Sequence, residues 1–296
     1  MWSCLISMSP ADPAGPCLFY ICPFSHPRRS TLNPLAETQR EAEAVIREMG
    51  AIALKNFRRT NPHVRTAKGA MDFTTEVDLE LEALCQDAIA KRFPEHAFFG
   101  EESGGAFRGP TWVVDPIDGT HNYAIGLPWW CISLALVSDG RPVIGLVFDP
   151  LHDELYSAAY GLGAFLNEQR LRPGTATSFQ GKVVGFGLAA GRPAYATLSA
   201  LRGLAARSAS VRAQGAGALA LCSVAAGRLD AFFEHEIHLW DVAGACAILG
   251  EAGCDVRFSF DTGSPSDARP IVAARPGLGA PLHQLLNDEA TEQEHE

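Results

Sequence analysis

The sequence predicts a layered α/β fold, in which helices cover the faces of β-sheets. Residues 35–57 and residues from about 75 to 92 carry apolar side chains at helical spacing, and residues 97–159 contain short apolar runs separated by turn residues. After residue 174, strand-like and helix-like stretches alternate as far as residue 286. Blocks of helix beside blocks of strand indicate α+β layering.

Two helices are predicted ahead of the first strand. Residues 35–57 repeat apolar side chains such as Val45 at helical spacing. Thr74 or Thr75 can cap a second helix that continues to about residue 92. The polar residues 58–70 between them include a glycine and are predicted to form a loop.

The first half of the chain continues with strands, and the second half alternates strands with helices. The first-half strands are predicted at residues 97–100, 112–115, 131–137, 143–148 and 154–159. The second-half strands are predicted at residues 183–186, 209–212, 229–233 and 271–274. Helices are predicted there at residues 193–205, 215–226, 239–251 and 278–286.

Composition excludes several classes of protein. The hydrophobic content of 47% is that of a folded domain. A formal net charge of −10, with no cluster of basic residues, argues against a nucleic-acid polymer as partner. No apolar run reaches the roughly 18 residues that would span a membrane. The eight cysteines include Cys85, Cys131, Cys222 and Cys246 in apolar runs, which indicates buried free thiols and a cytoplasmic protein.

Two aspartates follow the apolar stretch that begins at Trp112. Asp115 and Asp118 lie at the end of the predicted strand, with Pro116 between them and Gly119 next. Carboxylates at the carboxyl end of a strand face the crevice where α/β sheets bind ligands. Hard oxygen ligands at this density suit magnesium rather than zinc. The alternative, for this segment alone, is an Asp-Gly turn with solvated carboxylates.

Two further segments supply carboxylates of the same kind. Glu101 and Glu102 follow the strand at residues 97–100 in a glycine turn. Asp241 stands at the start of the helix predicted at residues 239–251, where an aspartate is also the expected helix cap. Ligand and cap both stay open for Asp241 taken alone, but the three segments together favour a metal site.

At these residues the sequence resembles the inositol monophosphatase family. The family's three signatures are similar to Gly-Glu-Glu-Ser at 100–103, Asp-Pro-Ile-Asp-Gly-Thr-His-Asn-Tyr at 115–123 and Trp-Asp-Val-Ala-Gly at 240–244. The resemblance extends over about residues 35–286. It implies an alternating αβαβα sandwich of the inositol monophosphatase and fructose-1,6-bisphosphatase type. Tyr123 departs from the usual phenylalanine, and Ala216 departs from the serine or threonine of many relatives.

The resemblance also implies roles for the matching residues. Glu101, Asp115 and the Ile117 carbonyl would hold one magnesium ion, and Asp115, Asp118 and Asp241 a second, with Glu101 helping to place a third through water. Thr120 and Asp78 would orient and deprotonate the attacking water, and the Gly119 and Thr120 amides would bind the phosphate. Glu234, together with Asp118 and Asp241, would bind the substrate alcohol; a solvated surface carboxylate is the alternative for Glu234.

The activity implied by the resemblance is magnesium-dependent hydrolysis of a small phosphate monoester by metal-activated water. The expected substrate is inositol monophosphate or a related polyol or sugar phosphate. Alternatives with the same chemistry are 3′-phosphoadenosine 5′-phosphate, fructose 1,6-bisphosphate and histidinol phosphate. A catalytically silent binding protein on the same scaffold is the alternative from another class. The family further implies a homodimer and inhibition by lithium.

The chain divides into two expected halves with two expected tails. Residues 34–175 would form the metal-binding half, and residues 176–287 would complete the active site. Residues 1–33 mix proline, serine, cysteine and aromatic residues, so we expect a disordered extension or a start codon assigned too early. The acidic residues 288–296 are expected to fray.

Overall fold

The structure is a computed structural model that describes residues 29–58, 66–67, 73–188, 195–260 and 264–291. Most of the extension expected at residues 1–33, most of the loop expected at 58–70 and the last five residues of the expected tail lie outside the described residues.

The larger sheet has eight strands and carries the first two signature segments. Two short strands, β1 (Thr66–Ala67) and β2 (Phe73–Thr74), pair separately ahead of it. The eight strands of the larger sheet are β3 (Ala97–Gly100), β4 (Gly104–Gly105), β5 (Thr111–Asp118), β6 (Cys131–Ser138), β7 (Arg141–Asp149), β8 (Glu154–Ala159), β9 (Gly163–Leu166) and β10 (Gln169–Arg170). They lie in the order β10-β9-β8-β7-β6-β5-β3-β4, and all neighbours are antiparallel except β3 and β5.

The second sheet has five strands and follows in the chain. Its strands are β11 (Val183–Phe186), β12 (Ser210–Arg212), β13 (Ala231–Ile237), β14 (Asp255–Arg257) and β15 (Arg269–Ala274). The order is β12-β11-β13-β15-β14, with β12, β11 and β13 parallel and β15 antiparallel to both of its neighbours.

Helices and sheets alternate through the molecule. The helices are α1 (Arg29–Asn56), α2 (Glu76–Arg92), α3 (Thr120–Ile125), α4 (Tyr195–Ala206), α5 (Gly217–Ala225), α6 (Leu239–Ala252) and α7 (Gly279–Thr291). Helices α1 and α2 cover one face of the larger sheet, and α5 and α6 lie between the two sheets. Helices α4 and α7 cover the outer face of the second sheet. The predicted αβαβα sandwich is confirmed.

The two central helices are apolar on all sides, as burial between sheets requires. Every residue of α5 after Gly217 is buried. Helix α6 approaches β7 so closely that Gly145 has no room for a Cβ against the Gly244 carbonyl. This close packing places the first turn of α6 near the end of β5, where the carboxylates lie.

Most predicted elements are present, with differences at their ends. Helix α1 begins at Arg29, ahead of the predicted start at Leu35. The strand predicted at 112–115 continues through Pro116 to Asp118 because β5 contains a bulge there. The short strands β1, β2, β4, β9, β10 and β14 were not predicted, since segments of two to four residues carry little periodic pattern. Strand β1 lies within the loop predicted at residues 58–70, so that part of the prediction is wrong.

Two expectations from composition can be compared with the structure. The cysteines Cys85, Cys131, Cys222, Cys246 and Cys254 are free and buried, as predicted for the first four. Within the part of the chain that is described, no helix combines the length and the apolar character needed to cross a membrane.

Candidate active site

A one-residue bulge in β5 brings Asp115 and Asp118 to the same side of the sheet. In a regular strand, residues three apart face opposite sides. Opposite β6, however, Asp115 pairs with Ser133 and Asp118 with Cys131, so β5 advances three residues while β6 advances two. The extra residue reverses the alternation. Both carboxylates therefore face the central helices.

Asp241 joins this pair from the first turn of α6. Its Oδ2 accepts a hydrogen bond from the His238 amide at 2.9 Å, as a capping residue does. Asp115, Asp118 and Asp241 each offer a carboxylate oxygen, and these oxygens all lie within 4.8 Å of one another. Asp241 is thus not the N-cap, which is His238, but the third helical residue of a capping box, and it also belongs to the carboxylate cluster.

The electrostatics of the cluster favour a bound cation. Burial raises the pKa of Asp115 well above its usual range, and the neighbouring Glu101, Asp241 and Asp118 raise it further. Burial also raises the pKa of Asp118 to about 6, although the Cys131 thiol and backbone amides donate to it. Like charges in a buried site repel, and a divalent cation would remove that repulsion. A set of carboxylate oxygens suits a hard metal ion, so these residues fit a metal site.

Glu82 shapes the turn that carries Glu101, and the sequence analysis missed it. Its buried carboxylate accepts hydrogen bonds from the Glu102 amide at 2.8 Å and the Ser103 amide at 2.7 Å. It packs against Gly100 so closely that a Cβ there would collide with it. Glu82 lies one helical turn after Asp78 on the buried face of α2. This four-residue spacing is the feature of the sequence that could have identified Glu82.

Thr120 and Asp78 lie next to each other where α3 meets α2. The Thr120 hydroxyl donates to the Ile117 carbonyl oxygen at 2.8 Å and lies 3.2 Å from Asp78 Oδ1. The other Asp78 oxygen accepts from the Thr75 amide at 2.9 Å and from the Thr75 hydroxyl. Burial raises the pKa of Asp78 to about 6. The structure thus brings Asp78, Thr120 and the Ile117 carbonyl together beside the cluster.

Gly119 and Asn122 join this region to the start of α5. Gly119 has a φ of 89°, and a Cβ on it would lie 3.1 Å from the Gly215 carbonyl oxygen, so the position requires glycine. The Asn122 amide donates to the carbonyl oxygens of Trp129 and Gln214, both at 2.8 Å. In the sequence, Asn122 stands out only as part of the signature at residues 115–123. Its role in joining this region to the start of α5 depends on a contact with a segment far along the chain.

Glu234 reaches the cluster from the second sheet. Its carboxyl group lies against Gly187, which has no room for a Cβ, and near Gly217. Burial raises the pKa of Glu234 to about 8, with further contributions from Asp241 and Asp118. The structure thus brings Glu234 close enough to Asp118 and Asp241 for their charges to act on its carboxyl group.

The stability of the metal-free protein should depend on Glu234 and pH. Because the folded-state pKa of Glu234 is raised from 4.5 to about 8, folding favours its protonated form, and this carboxyl destabilises the fold as pH rises through that range. Glu234→Gln should raise the Tm at pH 9 and change it little at pH 5, measured by thermal unfolding in EDTA. Exposed Glu168→Gln is the control. Equal Tm differences at both pH values would contradict the prediction.

Similarities to known proteins accompany this geometry. The profile of the inositol monophosphatase family matches residues 35–294. Inositol monophosphatase 2 of Solanum lycopersicum is 39% identical over 232 residues, which cover 75% of this chain and 88% of that protein. The Nus factor SuhB of Haemophilus influenzae is 36% identical over 241 residues, covering 79% of this chain and 88% of that protein. A solved IMPase of Thermotoga maritima has a TM-score of 0.76 at 28% identity and covers 88% of this chain and 99% of the other.

Proposed function

The chain belongs to the inositol monophosphatase family, and we propose that it hydrolyses inositol monophosphate or a related polyol or sugar phosphate with magnesium. The observation that carries the proposal is the cluster of Asp115, Asp118 and Asp241, whose carboxylate oxygens lie within 4.8 Å of one another. A phosphate ester is an anion, and a protein with a net charge of −10 needs a local positive charge to bind it.

The residues proposed to hold magnesium are those of the cluster and its immediate neighbours. They are Glu101, Asp115, the Ile117 carbonyl, Asp118 and Asp241, with Glu82 supporting the turn at Glu101. When bound, magnesium would lower the pKa of a water molecule and offset the charge of the phosphoryl oxygens. Phosphoryl transfer needs positioning and charge stabilisation more than a nucleophilic side chain.

Thr120 and Asp78 are proposed to orient the attacking water and to accept its proton. A water beside Thr120 can donate to Oγ1 while the hydroxyl proton turns from the Ile117 carbonyl to Asp78 Oδ1, 3.2 Å away. With a pKa of about 6, Asp78 is mostly ionised at pH 7 and can accept that proton. The amides of Gly119 and Thr120, at the start of α3, are proposed to bind the phosphate.

The alcohol is proposed to lie between the cluster and the second sheet. Glu234, Asp118 and Asp241 offer carboxyl oxygens there, and hydroxyl groups of a polyol can donate to them. The 39% identity to a protein named inositol monophosphatase supports an inositol phosphate. The alternative alcohols are adenosine 5′-phosphate, fructose phosphate and histidinol, all with the same chemistry at phosphorus.

Further proposals rest on family membership and on the sequence itself. They are a homodimer, inhibition by lithium, a cytoplasmic location and a division near residue 175 into two halves. We also propose that no nucleic-acid polymer is a partner, because the net charge is −10. The name Nus factor SuhB is that of a relative 36% identical to this chain, and a binding assay with RNA would test whether the expectation is wrong.

The substrate proposal is tested by phosphate release from a panel of monoesters at one saturating magnesium concentration. The panel contains inositol 1-phosphate, fructose 1,6-bisphosphate, 3′-phosphoadenosine 5′-phosphate and histidinol phosphate. The expected result is the highest kcat/KM on inositol 1-phosphate. A clear preference for another member would replace the proposed alcohol, and no release from any member would contradict the proposed activity.

Glu234→Gln should change substrate preference more than it changes the chemical step. At pH 9, above the Glu234 pKa of about 8, the carboxylate offers two acceptor oxygens, whereas the amide keeps the size of the side chain and offers one. The lost acceptor for a substrate hydroxyl is worth about 1 kcal/mol, or roughly fivefold. We expect a fivefold or larger loss of kcat/KM on the preferred polyol phosphate. An aryl phosphate, which offers no such hydroxyl, should be hydrolysed within about twofold of the wild-type rate. Equal losses on both substrates would remove Glu234 from the alcohol site.

A further inference from the structure

Cys131 lies directly opposite Asp118 in the paired strands β5 and β6. The pair stands just beyond the bulge, so the two side chains point to the same side of the sheet. Both residues are buried, and the Cys131 thiol lies 3.4 Å from Asp118 Oδ2, within the reach of an S–H···O hydrogen bond. Within the described residues, this thiol is the one side-chain donor that contacts the Asp118 carboxylate.

The remaining donors to Asp118 come from the first turn of α5. Asp118 Oδ1 accepts from the Gly217 amide at 3.0 Å, while Oδ2 accepts from the Ala218 and Leu219 amides at 2.8 and 3.3 Å. Ala216, at the N-cap position, gives no side-chain hydrogen bond, so Asp118 caps α5 from a different part of the chain. The carboxylate is held between a helix on one side and the β6 thiol on the other.

The two oxygens of Asp118 are therefore used unequally. Among the described residues, Oδ2 accepts three hydrogen bonds and Oδ1 accepts one, which leaves an acceptor position on Oδ1 for a ligand. Turning the plane of the carboxylate about the Cβ–Cγ bond would move both oxygens away from these donors and lose the thiol contact. A donor at Oδ2 thus favours the orientation of the Asp118 carboxylate in which Oδ1 is available to a ligand.

We propose that Cys131 is a positioning residue of the active site, whose thiol holds the Asp118 carboxylate in the orientation that binds the metal ion. The inference rests on the proposed function, because it assigns Asp118 to the metal. The competing explanation is packing, since Cys131 also belongs to the apolar core between the sheets. Packing would depend on the volume of the side chain at position 131, whereas positioning would depend on its hydrogen-bond donor.

Cys131→Thr and Cys131→Val separate these explanations, because the two side chains have the same shape and only threonine has a donor. Both are favourable in a strand. The magnesium concentration that gives half-maximal phosphate release should rise about fivefold in the valine variant, the effect of one lost hydrogen bond. It should stay within about twofold of wild type in the threonine variant. The kcat at saturating magnesium should differ little between the two.

A second readout does not depend on turnover. Magnesium should raise the Tm of wild type and the threonine variant at lower concentrations than it raises the Tm of the valine variant. Equal behaviour of the two variants in both assays would overturn the role of Cys131. A wild type with a magnesium-dependent Tm but no phosphate release would overturn the proposed activity alone, and the Tm shifts would still decide the role of Cys131. A wild type with neither response would overturn both.

Discussion

Asp115→Asn is expected to lower magnesium-dependent kcat/KM by at least about 10³-fold, because removing one group that stabilises transition-state charge already costs 10²–10³-fold. Asp115 lies at the centre of the cluster, with Glu101, Asp118 and Asp241 all close enough to raise its pKa. The asparagine Oδ1 can still accept the Ile117 amide, which lies 2.9 Å from the Asp115 oxygen, so the turn should keep its shape. Steady-state phosphate release measures the loss.

The same substitution should not destabilise the metal-free protein. It removes a buried charge from among like charges, so the Tm in EDTA should equal or exceed that of wild type. Asp149→Asn is the matched control, because Asp149 is also buried at a strand end and accepts the Leu151 amide at 2.9 Å, outside the cluster. Activity of Asp115→Asn close to that of the control would contradict the assignment of the metal site.

Thr120→Val is expected to lower kcat by about 10²–10⁴-fold, the range for losing a group that moves a proton in the transition state. Valine keeps the shape of threonine but lacks the hydroxyl that lies between the Ile117 carbonyl and Asp78. Thr120→Ser keeps that hydroxyl and should stay within about tenfold of wild type. Single-turnover phosphate release at saturating magnesium measures the chemical step.

A double variant tests whether Thr120 and Asp78 act as one unit. If they do, Thr120→Val with Asp78→Asn should lose little more activity than either alone, because residues of one unit are strongly non-additive. Thr111→Val is the control, since Thr111 is a buried threonine at the start of β5 whose hydroxyl contacts Arg108 and Gly109 away from the cluster. Multiplied losses in the double variant would argue for separate roles.

The elements that carry the site could be predicted from local sequence. Apolar periodicity located α2 and α6, and the apolar run before Asp115 located β5. The three segments that carry Glu101, Asp115 and Asp241 each stand at the end of a predicted strand or at the start of a predicted helix. Their similar positions favour a single metal site. For Asp241 the cap and the ligand were left open, and in the structure it takes part in a capping box and also belongs to the cluster.

The features that could not be predicted depend on residues far apart in the chain. The bulge in β5 exists only against β6, and it decides which way Asp118 points. The hydrogen bonds that the α5 amides donate to Asp118 join residues about a hundred positions apart. Glu82 looks like any helical glutamate until the turn at Ser103 packs over it. The apolar periodicity of a helix or strand indicates which of its faces packs against the core. It contains no information about contacts between residues that are far apart in the chain.

We propose above all that the carboxylate cluster binds magnesium and that hydrolysis of a phosphate monoester depends on the bound magnesium. The most direct test is the initial rate of phosphate release from inositol 1-phosphate by EDTA-treated wild type, measured over a range of added magnesium. We expect no release above background without metal and a rise to saturation as magnesium is added. Release at the same rate without metal, or none at any magnesium concentration, would contradict the proposal.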